Sequence, residues 1–177
     1  MTILFTQWSA PSKVLPILKW PDDEKLHEKS VDVTVFDEQL LQFANHMFAT
    51  MESANGIGLA APQTGNMINM IAIRLEKDKP LILANPVIKA SSEEMFKFNE
   101  GCLSVPGFFE DRERPERIIL TCKNVLGADY ELQFSGVYGF AIQHEIDHLL
   151  GKLFVDGSSL LKRQIIKSKM KKALKNK

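Results

Sequence analysis

The chain has 177 residues, 45% of them hydrophobic and 25% charged, the balance of a globular protein rather than a disordered or low-complexity one. It has no run of roughly eighteen apolar residues that could span a membrane, and Met1 to Lys13 has neither a basic n-region nor a long apolar core, so a soluble chain without an export signal is expected. The formal net charge of zero conceals an asymmetry: residues 158–177 hold eight Lys or Arg and no acid, leaving 14 basic against 22 acidic residues in the body.

This length fits one domain, residues 1–177, and two cysteines are too few for a disulfide framework. Val14 to Trp20 reads as an extended segment and Pro21-Asp22-Asp23 as a turn. Asp37 is placed to cap a first helix in which Leu40, Ala44, Met47, Phe48 and Met51 recur at helical spacing over about four turns, ending at Asn55-Gly56. His46 lies beside that apolar stripe and reads as structural.

Gly56 to Gln63, G-I-G-L-A-A-P-Q, contains the pattern G-x-G-x-x-A. As a dinucleotide fingerprint it would have to follow a strand and open a helix, whereas a helix precedes it and Pro62, Thr64 and Gly65 punctuate its continuation. The favoured reading is a glycine-rich loop whose backbone approaches a ligand closely, because Gly56 and Gly58 lack a Cβ. Gln63 would add an amide donor. A plain turn is the alternative.

Met67 to Leu75 and Leu81 to Val87 read as neighbouring strands separated by Glu76 to Pro80. Phe96 to Pro106 reads as an extended segment interrupted by Gly101. Ile118 to Lys123 and Tyr130 to Phe134, joined across Asn124 to Asp129, read as a hairpin, in which Cys122 is a small buried hydrophobe.

The hairpin leads into Q-H-E-I-D-H-L-L-G, Gln143 to Gly151. On a helix, His144 and His148 lie one turn apart on one face and can reach a single metal ion. Glu145 lies between them, placed to take a proton from a metal-bound water. Val137, Phe140, Ala141, Ile142, Ile146, Leu149 and Leu150 make the segment apolar nearly all round, as in a helix buried on several sides, with Ser135 to cap its start and Gly151 to stop it. Two imidazoles and a carboxylate in a dry interior are costly without a partner, and a divalent metal is the simplest one. Beyond it, Lys152 to Asp156 suggests a short strand. Ser158 or Ser159 then caps a last helix with Leu161, Ile165, Ile166, Met170 and Leu174 on one face and lysines toward water. Attraction of those lysines to an anionic surface such as RNA is the sharper reading of the same pattern.

The location of a third ligand discriminates among HExxH chemistries. The extended protease pattern fails, because its last histidine would be Phe154, no glutamate follows Glu145, and Asp156, beside a turn at Gly157, is the only acid beyond the motif. Cys102, in E-G-C-L-S, is the better candidate: a Cys-His-His set leaves a fourth tetrahedral position for water. A buried free thiol is its bland reading. At this level an endopeptidase using the same water and a structural-metal or RNA-binding module stay open.

G-I-G-L-A-A-P-Q, E-G-C-L-S and Q-H-E-I-D-H-L-L-G, in that order, resemble the three signature motifs of peptide deformylase, and the element order matches that family's layout over essentially the whole chain. The resemblance implies an α+β fold with antiparallel or mixed sheets around a buried central HExxH helix, flanked by N-terminal and C-terminal helices as in the bacterial and organellar form. It implies a hydrolase that removes the formyl group from the N-terminal formyl-methionine of nascent peptides by attack of a metal-bound hydroxide. Cys102, His144 and His148 would hold the ion and Glu145 would serve as general base and then acid. Gln63 and the Leu103 N–H would stabilise the oxyanion. The methionine side chain would enter a pocket near Ile57, Phe98, Val137 and Phe140, and the peptide would pair with the Gly56 to Gly58 and Gly101 to Leu103 segments. Fe2+ is expected as the native ion, with Zn2+, Ni2+ or Co2+ in the isolated protein. A monomer is expected in the cytoplasm, or in an organelle after import, with no membrane partner and with the ribosome as a partner of the basic C-terminal helix. Gly107 to Arg117, G-F-F-E-D-R-E-R-P-E-R, departs from the family's usual pattern, so no peptide-binding arginine is carried over there.

Overall fold

A computed structural model describes residues 12–76 and 79–175. The stretch from Met1 to Lys13 falls almost wholly outside the described residues, and so with it does the expected lack of an export signal; Lys177 and the side chain of Leu174 lie outside them too.

The apolar strand sequences are explained by cover on both faces. Strands β1 (Gly58–Ala60), β2 (Met70–Glu76), β3 (Lys79–Ser91), β6 (Arg117–Lys123) and β7 (Asp129–Ser135) form one antiparallel sheet in the order β1-β2-β3-β6-β7. Successive strand side chains point to opposite faces, so Met70, Ala72, Ile82 and Ala84 pack beneath helix α1 (Glu38–Ser53). Ile71, Ile73, Leu81 and Leu83 meet Ala141, Ile142 and Leu149 of helix α2 (Gly136–Leu149) on the other face. Strands covered on both faces lose the apolar-polar alternation and read as continuous hydrophobic runs.

A second, two-stranded sheet pairs β4 (Met95–Gly101) with β5 (Phe109–Pro115). β5 was not expected from the sequence. Its residues F-E-D-R-E-R-P are mostly charged and its burial alternates only between exposed and half-buried, so no hydrophobic period marks it.

The caps match expectation in part. The Asp37 carboxylate accepts the Leu40 N–H at 2.9 Å. Ser159 Oγ accepts the Lys162 N–H at 3.3 Å at the start of helix α3 (Leu160–Lys175). Ser135 makes no side-chain cap to α2; the Glu116 carboxylate takes the Gly136 N–H at 3.2 Å instead. Gly151 ends α2 at φ +70°, where a Cβ would strike the His27 carbonyl, so this position requires glycine. The strand expected over Lys152 to Asp156 is instead a 3-10 turn at Phe154–Gly157. Leu153, Phe154 and Val155 fill a third core cluster with Trp20, Leu26, Cys102, Val105, and Ile166 and Met170 of α3. Here core packing overrides β propensity.

Candidate metal centre

Helix α2 packs against strands of both sheets, and it carries His144, Glu145 and His148, all buried. Opposite it, β4 ends at Gly101 and the chain turns at Cys102, which places the sulfur 3.2 Å from His148 Nε2. His144 Nε2 lies 3.2 Å from His148 Nε2. Cys102, His144 and His148 offer ligand atoms all within 4.8 Å of one another, the one such group among the described residues. Asp156 lies apart, accepting the Leu153 N–H and pairing with Arg163. His46 is far from this chemistry in role, since its Nδ1 takes the Lys13 N–H at 3.0 Å.

The donor set suits a divalent ion. His144 Nδ1 is hydrogen-bonded to the Glu100 carboxylate, which fixes the ring tautomer and turns the Nε2 lone pair inward, the usual arrangement for a metal-ligating histidine. Glu100 is in turn gripped by Arg114, whose Nε and Nη2 donate at 3.2 and 3.1 Å while its Nη1 donates to Asp147 at 2.7 Å. Burial would raise the Glu100 pKa, but the hydrogen bonds and charges of His144 and Arg114 outweigh it and hold the carboxyl below its ordinary value.

The two histidines diverge. Burial opposes charge on His144, but hydrogen bonds to Cys102 and Glu100 and the nearby charge of Glu145 draw a proton to it, well above the ordinary imidazole range. His148, driven down first by burial and then by the charges of His144 and Arg114, stays well below that range. Negative charge concentrated at one point attracts a cation, and a metal ion competes with the proton for the same lone pairs. One sulfur and two imidazoles are ligands for zinc, iron(II), cobalt or nickel.

Glu145 points into the same space with its Oε2 buried and without a hydrogen-bond partner among the described residues. Burial first, with the nearby Glu100 charge adding to it, pushes its carboxyl up to about 7. A methyl group on Gly58 would come within 2.9 Å of its carboxyl carbon, so the glycine loop is what lets the carboxylate occupy this position. Gln63 is 1% exposed. Its Oε1 accepts the Ala60 N–H at 2.8 Å, which leaves Nε2 to donate to Ser104 Oγ at 3.1 Å and to reach Cys102 Sγ at 3.5 Å.

A cleft of about 470 Å³ opens onto these groups. Gly56, Ile57, Gly58, Gln63, Phe98, Gly101, Cys102, Leu103, Val137, Phe140, His144 and Glu145 all line it. The Phe98 and Phe140 rings are 5.3 Å apart, and the Arg114 guanidinium lies 5.2 Å over Phe140, a cation–π contact that ties the apolar wall to the ligand network.

The residues of a sequence model of polypeptide deformylases align with residues 14–164. The chain belongs to the polypeptide deformylase family. It is accordingly a hydrolase of N-formyl groups in a metal-dependent family. The peptide deformylase of Cellvibrio japonicus is 45% identical over 161 residues, covering 90% of this chain and 95% of that protein. The Wolinella succinogenes enzyme is 42% identical over 166 residues, covering 90% and 96%. The crystal structure of the Legionella pneumophila enzyme superposes with a TM-score of 0.87 at 38% identity, covering 92% and 96%. That of Ehrlichia chaffeensis, in complex with actinonin, also gives 0.87, at 34% identity over 90% and 97%.

Glu100, Arg114 and Asp147 were missed by sequence reasoning. Glu100 carried a usable signal, an acid two residues before a candidate ligand cysteine, since ligating histidines usually donate their second N–H to a carboxylate.

Proposed function

We propose that this chain removes the formyl group from the N-terminal formyl-methionine of nascent polypeptides, using a divalent ion held by Cys102, His144 and His148. The observation that carries this reading is the convergence of those three donors, beside the cleft, with the buried Glu145 carboxylate, whose Oε2 has no hydrogen-bond partner among the described residues. When bound, the ion supplies Lewis acidity and makes water nucleophilic near neutral pH.

The chain's own residues do the rest. The methionine side chain enters between Phe98 and Phe140, with Ile57 and Val137 at the mouth. Among the described residues β1 pairs only with β2, and β4 only with β5, so the Gly56 to Gly58 and Gly101 to Leu103 segments offer backbone groups to an extended peptide across the cleft. Glu145 accepts the proton of the attacking water and returns it to the leaving nitrogen. The Gln63 amide and the Leu103 N–H donate to the oxygen that becomes negative in the tetrahedral intermediate. Products are formate and a free amino terminus.

Fe2+ is the native ion in this account, with Zn2+, Ni2+ or Co2+ able to occupy the site, and oxygen inactivates the iron form partly through Cys102. The protein acts in the cytoplasm as a monomer; no described helix is long and apolar enough to cross a membrane. Exposed Lys167, Lys169, Lys171 and Lys172 on α3 dock it transiently on ribosomal RNA. Deleting α3 would be a poor test of docking, because Ile166 and Met170 are buried against the cluster that contains Cys102. Replacing the four lysines by glutamine should weaken ribosome binding and flatten its salt dependence; unchanged binding would remove the docking role.

The deciding assay compares formate release from formyl-Met-Ala-Ser with cleavage of the unformylated peptide. Formate release alone is expected. Proteolysis without formate would replace this reading with an endopeptidase.

A further inference from the structure

Cys102 opens a tight turn in which the Val105 N–H donates to the Cys102 carbonyl at 3.0 Å, so Leu103 and Ser104 are its corner residues. The peptide joining two corner residues is the unit whose orientation differs between turn types. Here both of its polar ends are engaged. Its carbonyl, Leu103 O, accepts the Lys19 ammonium at 2.7 Å. Its N–H, that of Ser104, lies 3.4 Å from Cys102 Sγ.

The segment carrying Lys19 also fastens, by their backbone carbonyls, both residues whose N–H groups approach that sulfur. Leu18 N–H donates to the Gln63 carbonyl at 2.8 Å and Trp20 N–H to the Ser104 carbonyl at 3.0 Å, while the Gln63 amide and the Ser104 N–H both address Cys102 Sγ. Trp20 is buried in the same cluster as Cys102, with Leu18 packed against it. Lys19 is itself anchored through its backbone N–H, which donates to the Asp23 carboxylate at 2.8 Å.

We propose that Lys19 is a positioning residue: its ammonium on the Leu103 carbonyl fixes the middle peptide of the turn, keeps the Ser104 N–H on the Cys102 sulfur, and thereby sets the donor strength of that thiolate. The inference rests on the reading of Cys102 as a metal ligand. A hydrogen bond to a ligand sulfur withdraws charge from it and tunes the bound ion. A charge-assisted bond from an ammonium holds a carbonyl more firmly than a neutral donor does. Without it, the peptide loses the charged contact on its carbonyl, and its N–H can tilt away from the sulfur.

Cobalt(II) reports this directly, because a thiolate ligand gives a sulfur-to-cobalt charge-transfer band in the near ultraviolet whose energy falls as the sulfur becomes more electron-rich. The Co2+-substituted wild type, Lys19→Met, Lys19→Gln and Lys19→Arg are compared, with circular dichroism and melting curves recorded on the same samples. The band should move to longer wavelength in Lys19→Met, less in Lys19→Gln, and return to the wild-type position in Lys19→Arg, with kcat lowered and KM little changed in the first. If Lys19→Met does not fold, Lys19→Gln against wild type reads the same shift. A folded neutral variant with an unmoved band overturns the positioning role alone. Absence of any thiolate band in the wild type overturns the ligand reading beneath it, so the two failures are told apart.

Discussion

Helix α2 delivers His144, Glu145 and His148 from adjacent turns of one buried element. The facing half of the site comes from Gln63 and from the turn at Cys102, 39 residues further on, held in register by hydrogen bonds to one another and, through Gln63, Leu103 and Ser104, to Leu18, Lys19 and Trp20. The helix half is fixed by backbone periodicity and core burial, so its geometry is hard to perturb without unfolding. The loop half depends on single polar contacts, so it can be adjusted one bond at a time. In the proposed mechanism proton transfer falls to the rigid half and oxyanion stabilisation to the assembled half, while both halves line the cleft, Val137 and Phe140 from α2 and Ile57 and Phe98 from the facing segments.

The sharpest way to separate the halves is Glu145→Gln. It should lower kcat by about 10⁴-fold, the upper end of what general acid–base catalysis supplies, while metal content by elemental analysis stays unchanged. A damaged ligand set would instead lose both together. On the opposite half, Gln63→Ala should reduce kcat by about 10²–10³-fold, the usual effect of removing one oxyanion donor, with steady-state kinetics on a formylated tripeptide as the measurement. Gly58→Ala probes the seam between the two, since the added methyl meets the Glu145 carboxyl. Displacement of the base by even an ångström should cost up to about 10²-fold in rate, with the melting temperature little changed.

The two halves were not equally legible, because each is built differently. The spacing of His144 and His148 and the apolar surround of α2 are local patterns, and both appear in the structure as a buried helix. E-G-C-L-S marked Cys102 by its neighbours, and the hairpin of β6 and β7 by its turn residues. The Arg114 network escaped because Arg114 meets Glu100 and Asp147 across 14 and 33 residues, with no periodicity to link them. Likewise the role of the Leu18 to Trp20 segment arises from backbone donors, which every sequence possesses. Lys152 to Asp156 reads as a strand because its centre, Leu153 to Val155, is apolar; a buried 3-10 turn has the same composition.

A smaller effect tests the electrostatics of the helix half in the metal-free protein. The Glu145 carboxyl has a folded pKa of about 7 against an ordinary 4.5, so burial leaves stability intact below pH 4.5 and removes it progressively as pH rises to 7. Metal-free Glu145→Gln should therefore match the metal-free wild type near pH 4 and exceed it above pH 7, by on the order of 3 kcal/mol in denaturant melts. Equal pH profiles would mean that the carboxyl is solvated rather than enclosed.

The central claim, that a metal held by Cys102, His144 and His148 works with Glu145 to hydrolyse a formamide, is tested most directly by metal content and formate release on the same anaerobic sample. Formate release in proportion to occupancy, saturating at one ion per chain and faster with iron than with zinc, is the predicted result. Undiminished formate release after the metal has been removed by chelation would contradict it.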